Sequence, residues 1–156
     1  MIQNNSRILI PFDSTELSIK ALDRACELAK NTDSKLILLY VVDITCLCPG
    51  KILEYIKDVN EFEGARDHYV DQLIQGAEEM IKEKLMQLNQ KSIDARPLVR
   101  VGDPADVIIN VARDEMVHTI IMGSSGSLKK LHERKGVGSV SRWVSEIANC
   151  PVVLIR

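Results

Sequence analysis

The run Lys35 to Val42, KLILLYVV, constrains the fold most, because it is apolar at almost every consecutive position. A strand exposed on one face alternates, and a surface helix leaves a polar stripe; this run does neither and suits a strand covered on both faces. Four further runs read as strands: Arg7 to Pro11 (RILIP), Ala95 to Val101, Thr119 to Met122 (TIIM) and Pro151 to Ile155 (PVVLI). Aromatic residues make up only 4% of the chain, so aliphatic side chains must fill the core.

Helical periodicity separates these runs. Ser14 offers an N-cap for a helix from Thr15 to Asn31, with Leu17, Ala21, Leu22, Ala25, Leu28 and Ala29 at three- and four-residue steps. A second helix runs from about Ala65 to Asn89. Gly102-Asp103-Pro104 feeds a third, ending near Glu115, with Asp103 as N-cap and Pro104 at its first position. The last carries Val140, Val144, Ile147 and Ala148, with Trp143 near its apolar edge as a core or interface residue. Asp43 to Gly64 reads as an irregular excursion with a turn at Pro49-Gly50 and a turn or two of helix from Ile52 to Val59.

Strands alternating with helices predict an α/β fold, a doubly wound, Rossmann-like parallel sheet with helices on both faces. Five strands predict the order 3-2-1-4-5, with a switch point between strands 1 and 4. The 156 residues suit one domain spanning the whole chain.

Acidic residues (22) nearly balance basic ones (20), so the global basic excess of a nucleic-acid binder is missing. No stretch approaches the roughly 18 apolar residues of a membrane span. Met1 to Arg7 is polar and lacks the apolar centre of a signal peptide, so a cytoplasmic location is expected. Cys26 and Cys150 read as small buried hydrophobes, and Cys46-x-Cys48 has no second Cys/His pair with metal-ligand spacing.

In a doubly wound sheet, ligands bind beyond the carboxyl ends of the strands at the switch point. The segments emerging there are Pro11-Phe12-Asp13 after strand 1, Val41 to Asp43 after strand 2, and Gly123 onward after strand 4. The last reads Gly123-Ser124-Ser125-Gly126, eleven residues, then Gly138-Ser139-Val140 opening a helix. Glycines let backbone N–H groups approach an anion, and the helix start adds unpaired donors and a positive dipole end. Lys129, Lys130, Arg134, Lys135 and His132 lie in the same loop. Ser124 and Ser125 suit phosphate donors better than nucleophiles, because no partnered base is evident. Ser139 can serve as N-cap or as phosphate contact, and the two roles compete for one hydroxyl. The Walker pattern and the dinucleotide fingerprint are both absent.

The set PFDST, YVVD, VGDPAD, GSSG and GSVS…CPVVLIR resembles the universal stress proteins over essentially the whole chain, most weakly from Ile44 to Gly64. The resemblance implies a dimer formed by pairing the final strand, Pro151 to Ile155, and an ATP site built on G-2x-G-9x-G-[S/T]. On that pattern Gly123 and Gly126 match the first pair, and Gly138 and Ser139 the closing pair. Asp13 matches an acidic residue lining the nucleoside side, and Val41 a position whose backbone meets adenine. The spacing from Gly126 to Gly138 is eleven residues rather than nine, whereas Gly136 keeps nine but is followed by Val137. The helix pattern favours Gly138-Ser139.

The expected nucleotide contacts are therefore Pro11, Asp13, Val41, Gly123, Ser124, Gly126, Gly138, Ser139 and Val140. ATP is the expected ligand, with Mg or Mn as the cation on its phosphates. The expected role is a stress-response sensor or switch acting through a further protein partner. The alternatives are a slow ATPase or phosphotransferase, and a dimeric interaction module without nucleotide binding.

Overall fold

The structure is a computed structural model that describes residues 6–45, 58–124 and 138–156. The strands are β1 (Arg7–Pro11), β2 (Lys35–Val42), β3 (Ala95–Val101), β4 (Thr119–Gly123) and β5 (Val152–Ile155). The helices are α1 (Glu16–Thr32), α2 (Val59–Gln90), α3 (Pro104–Asp114) and α4 (Ser139–Ile147). All strand pairs are parallel, in the order β3-β2-β1-β4-β5, as the alternation of apolar runs and helices predicts.

The strands alternate between two aliphatic layers. Ile8, Ile10, Leu36, Leu38 and Ile121 face Ala21, Leu22 and Ala25 of α1 and Ile81 and Leu88 of α2. Leu9, Ile37, Leu39, Ile120 and Met122 face Ile108, Val111 and Ala112 of α3 and Val144 of α4. Leu9, Ile10, Leu38, Leu39 and Ile120 are wholly buried, which is why β2 reads as apolar on both faces.

Two helix starts differ from the sequence expectation. The N-cap of α1 is Thr15, whose hydroxyl accepts from Ser18 N at 3.3 Å. Ser14 instead takes a left-handed backbone (φ 62) and donates its hydroxyl to Met80 Sδ of α2. Helix α2 begins at Val59 rather than near Ala65, because Asp58 caps it through a bond from Glu61 N at 3.0 Å. Gly64 and Gly76 lie within it, and a Cβ at either would meet nothing within 4 Å. At 32 residues α2 spans about 48 Å, against about 26 Å for the eight-residue β2. Its buried residues among those described, Ala77, Ile81 and Leu88, lie in its second half.

The other ends match expectation. Asp103 caps α3 by accepting from Ala105 N (2.9 Å) and Asp106 N (3.1 Å), with Pro104 opening the helix. His118 is structural, its Nδ1 accepting from Arg7 N at 3.2 Å. Cys26 is buried and Cys150 partly so. Burial pushes both thiols above their usual pKa, and at Cys26 the nearby Asp23 carboxylate adds to the shift. Ile147, expected on the apolar face of α4, is half exposed, as is Trp143 four residues before it. Cys46, Cys48 and the Pro49-Gly50 turn lie outside the described residues.

Candidate functional site at the carboxyl edge of the β1–β4 seam

The seam between β1 and β4 is short. These strands pair only at Ile8 with Thr119 and Leu9 with Ile120. Beyond those rungs β1 continues to Pro11, paired with Leu39 of β2, and β4 continues to Gly123, paired with Ile155 of β5. The two half-sheets thus run on without laddering to each other, and this is the switch-point crevice expected of the topology.

Pro11 and Asp13 form one lip. Pro11 is the last residue of β1, and Phe12 N donates to Leu39 O at 2.8 Å to carry the chain past it. The Asp13 carboxylate is exposed, and its Oδ1 accepts from Thr15 N (3.1 Å) and Thr15 Oγ1 (2.6 Å). Asp13 therefore builds the turn into α1. Both bonds fall on Oδ1, so Oδ2 keeps acceptor capacity for a ligand hydroxyl or cation. Val41 lies next to the end of β2, partly buried over the α3/α4 layer.

Gly123 and Ser124 form the other lip. A Cβ on Gly123 would stand 2.9 Å from Leu17 Cβ, 3.2 Å from Leu17 C and 3.3 Å from Ser18 N. Gly123 is thus required by the first turn of α1, which lies directly against the end of β4, whatever the crevice holds. Ser124 is buried, and its N–H donates to Ile155 O at 2.8 Å. That amide is committed to the sheet and is not a free anion donor.

The chain re-enters the described residues at Gly138, whose N–H donates to Ser124 O at 2.6 Å. Gly138 is the N-cap of α4 in an extended conformation (φ −62, ψ 157), so Ser139 is the first helical residue and not the cap. Among the described residues no side chain caps α4, whereas Thr15, Asp58 and Asp103 cap the other three helices. Since Arg142 N makes the first bond back to Gly138 O, the amides of Ser139, Val140 and Ser141 have no partner in the helix ladder. Val140 leans on the α3/α4 layer, and the Gly138–Ser124 bond holds the start of the helix at the end of β4.

One residue escaped the sequence reading. Ser141 is buried, and its Oγ lies 2.9 Å from Ser124 O and 3.1 Å from Gly138 O. The available signal was its place three residues before Val144, a polar residue on the buried face of α4. Ser125, Gly126, Lys129, Lys130, His132, Arg134, Lys135 and Gly136 lie outside the described residues. Among the described residues no three His, Cys, Asp or Glu side chains gather as a metal site.

A sequence profile of the universal stress protein family matches residues 4–156. The chain belongs to the universal stress protein family. A universal stress protein of Methanothermobacter thermautotrophicus is 30% identical, with 100% of this chain and 99% of the relative covered. Universal stress protein UspA of Lactobacillus plantarum superposes with a TM-score of 0.80 at 21% identity, covering 98% of this chain and 99% of its own. Two more distant universal stress proteins were solved with nucleotides. One, in complex with cAMP, has a TM-score of 0.57 at 20% identity, covering 97% and 96%. The other, At3g01520 of Arabidopsis thaliana with AMP bound, has a TM-score of 0.60 at 15% identity, covering 96% and 90%. At these identities the last three likenesses concern the universal stress fold.

Proposed function

We propose that this universal stress protein binds an adenine nucleotide, ATP, across the β1–β4 seam and acts in the cytoplasm as a nucleotide-dependent switch in the stress response. The observation that carries the reading is the uncapped start of α4, bonded through Gly138 to the end of β4. Orphan amides at a helix N-terminus attract anions, and the dipole adds to the attraction. The adenine nucleotides in two solved relatives favour the same ligand class.

In this reading the amides of Ser139 and Val140 hold the phosphates, together with Gly138 and the Gly123–Gly126 segment. Pro11, Asp13 and Val41 form the nucleoside side. Ser124 contributes through its side chain, because its N–H is bonded to Ile155. A divalent cation, Mg or Mn, would accompany the phosphates and offset their charge. The switch works as a homodimer through the free edge of β5, where Val153 is 41% exposed beside a helix showing half-exposed Trp143 and Ile147. Its readout is a second protein.

Titration calorimetry of ATP into nucleotide-free protein, alongside Ser139→Glu, tests the reading. A glutamate at the first position of α4 suits the helix dipole but repels phosphate, so binding falls while thermal stability holds. No heat of binding at millimolar ATP refutes the proposal.

A further inference from the structure

We infer that Ser141 is a positioning residue for the nucleotide phosphates, setting the separation of the two ends of the phosphate cradle without touching the ligand. The inference rests on the nucleotide reading above and concerns a residue outside the expected contact set.

Ser141 Oγ has one proton and stands between two carbonyls, Ser124 O at 2.9 Å and Gly138 O at 3.1 Å. These carbonyls belong to the residue that follows β4 and to the N-cap of α4. Ser124 O also accepts from Gly138 N, and Ser124 N donates to Ile155 O, so the peptide groups of Ser124 are held from both α4 and β5. The hydroxyl is turned inward, and Ser141 is only 3% exposed. It is therefore placed to align the cradle and not to enter it.

The same geometry makes the residue testable. Removing the hydroxyl orphans neither acceptor, because Ser124 O keeps Gly138 N and Gly138 O keeps Arg142 N. Ser141→Ala is thus expected to fold, with the relative placement of Ser124 and Gly138 loosened. Phosphate contacts depend on that placement and nucleoside contacts at Pro11, Asp13 and Val41 do not.

The experiment measures ATP and adenosine affinities for the parent, Ser141→Ala, Ser141→Thr and Ser145→Ala. Ser145 is the control, since its hydroxyl also bonds a backbone carbonyl of α4, Arg142 O, but holds neither cradle end. Loss of one aligned hydrogen bond predicts ATP weakened about three- to tenfold in Ser141→Ala, with adenosine unchanged. Ser141→Thr, which keeps the donor, restores ATP affinity, and Ser145→Ala alters neither. A parent that binds ATP while Ser141→Ala binds it equally well, or loses ATP and adenosine affinity in equal proportion, overturns the positioning role. A parent that binds neither ligand overturns the nucleotide reading and this inference with it.

Discussion

Replacing Gly123 with alanine separates two reasons for a glycine at the end of β4. If the residue only admits a phosphate, the nucleotide-free protein tolerates a methyl group there. The structure instead places that methyl 2.9 Å from Leu17 Cβ and 3.2 Å from the Leu17 backbone, so α1 must shift or the strand must bend. Overpacking of this kind costs about 1–3 kcal/mol. The lower entropy of the unfolded alanine chain returns roughly 0.4–1 kcal/mol. The net expectation is a loss of about 1–2 kcal/mol, placed toward the upper part of the range because two of the three close atoms are backbone. For a chain of this size that corresponds to a fall of roughly 2–8 °C in Tm. In urea the midpoint should drop by about 0.5–1 M at an m-value near ~2 kcal/mol/M, with m unchanged. Gly76→Ala provides the opposite sign. It sits within α2 with nothing near its Cβ, so alanine should stabilise by about 0.8–1 kcal/mol through helix propensity alone. Equilibrium unfolding of nucleotide-free protein, followed by far-ultraviolet circular dichroism, reads both. A Gly123→Ala variant as stable as its parent would refute the packing argument and return this glycine to the ligand.

Asp103→Ala removes the acceptor for two amides of α3 and should cost about 1–2 kcal/mol in the same unfolding assay, whereas Asp103→Asn should recover most of it. Cys26 has a thiol pKa raised above 9.0 by burial and by Asp23, so the folded state holds its proton where the unfolded chain has begun to lose it. That contribution to stability is intact below the unfolded value and declines as pH rises through the folded one. Urea midpoints should therefore fall more steeply above pH 9 for the parent than for Cys26→Ala. In the proposed homodimer, Val153→Lys puts a charge on the exposed side of the edge strand β5, and sedimentation velocity should read monomer where the parent reads dimer; an unchanged dimer places the contact elsewhere, and a monomeric parent refutes the proposed pairing.

The order of the sheet was legible because every strand is an unbroken aliphatic run and every connection is long enough for a helix. Asp103-Pro104 was legible for a local reason, since capping chemistry and the first apolar step fall together there, whereas the start of α4 was legible from its apolar steps alone. Where local chemistry offers two answers, tertiary contacts decide. Ser14 and Thr15 can each cap α1, and Ser14 is drawn away by Met80 of a distant helix. The first turns of α2 were hidden because Gly64 reads as a breaker and, among the described side chains, none is buried before Ala77. At the candidate site the residue types were readable but not their existing engagements. Asp13 is already bonded to Thr15, and the Ser124 amide to Ile155. The burial of Ser141 could be read from its place before Val144, but not its bonds, because both acceptors are backbone carbonyls and one is seventeen residues away.

The short ladder between β1 and β4 makes the sheet two plates joined along a narrow seam. Two rungs join the plates, and beyond them nothing in the ladder resists their parting at the carboxyl edge. Helix α1 grows out of one plate and is laid across the other, and the bare backbone of Gly123 lets it lie flush. It works as a splint over the joint from one side, while on the other the aliphatic layer beneath α3 and α4 ties Leu9 and Leu39 to Ile120 and Met122.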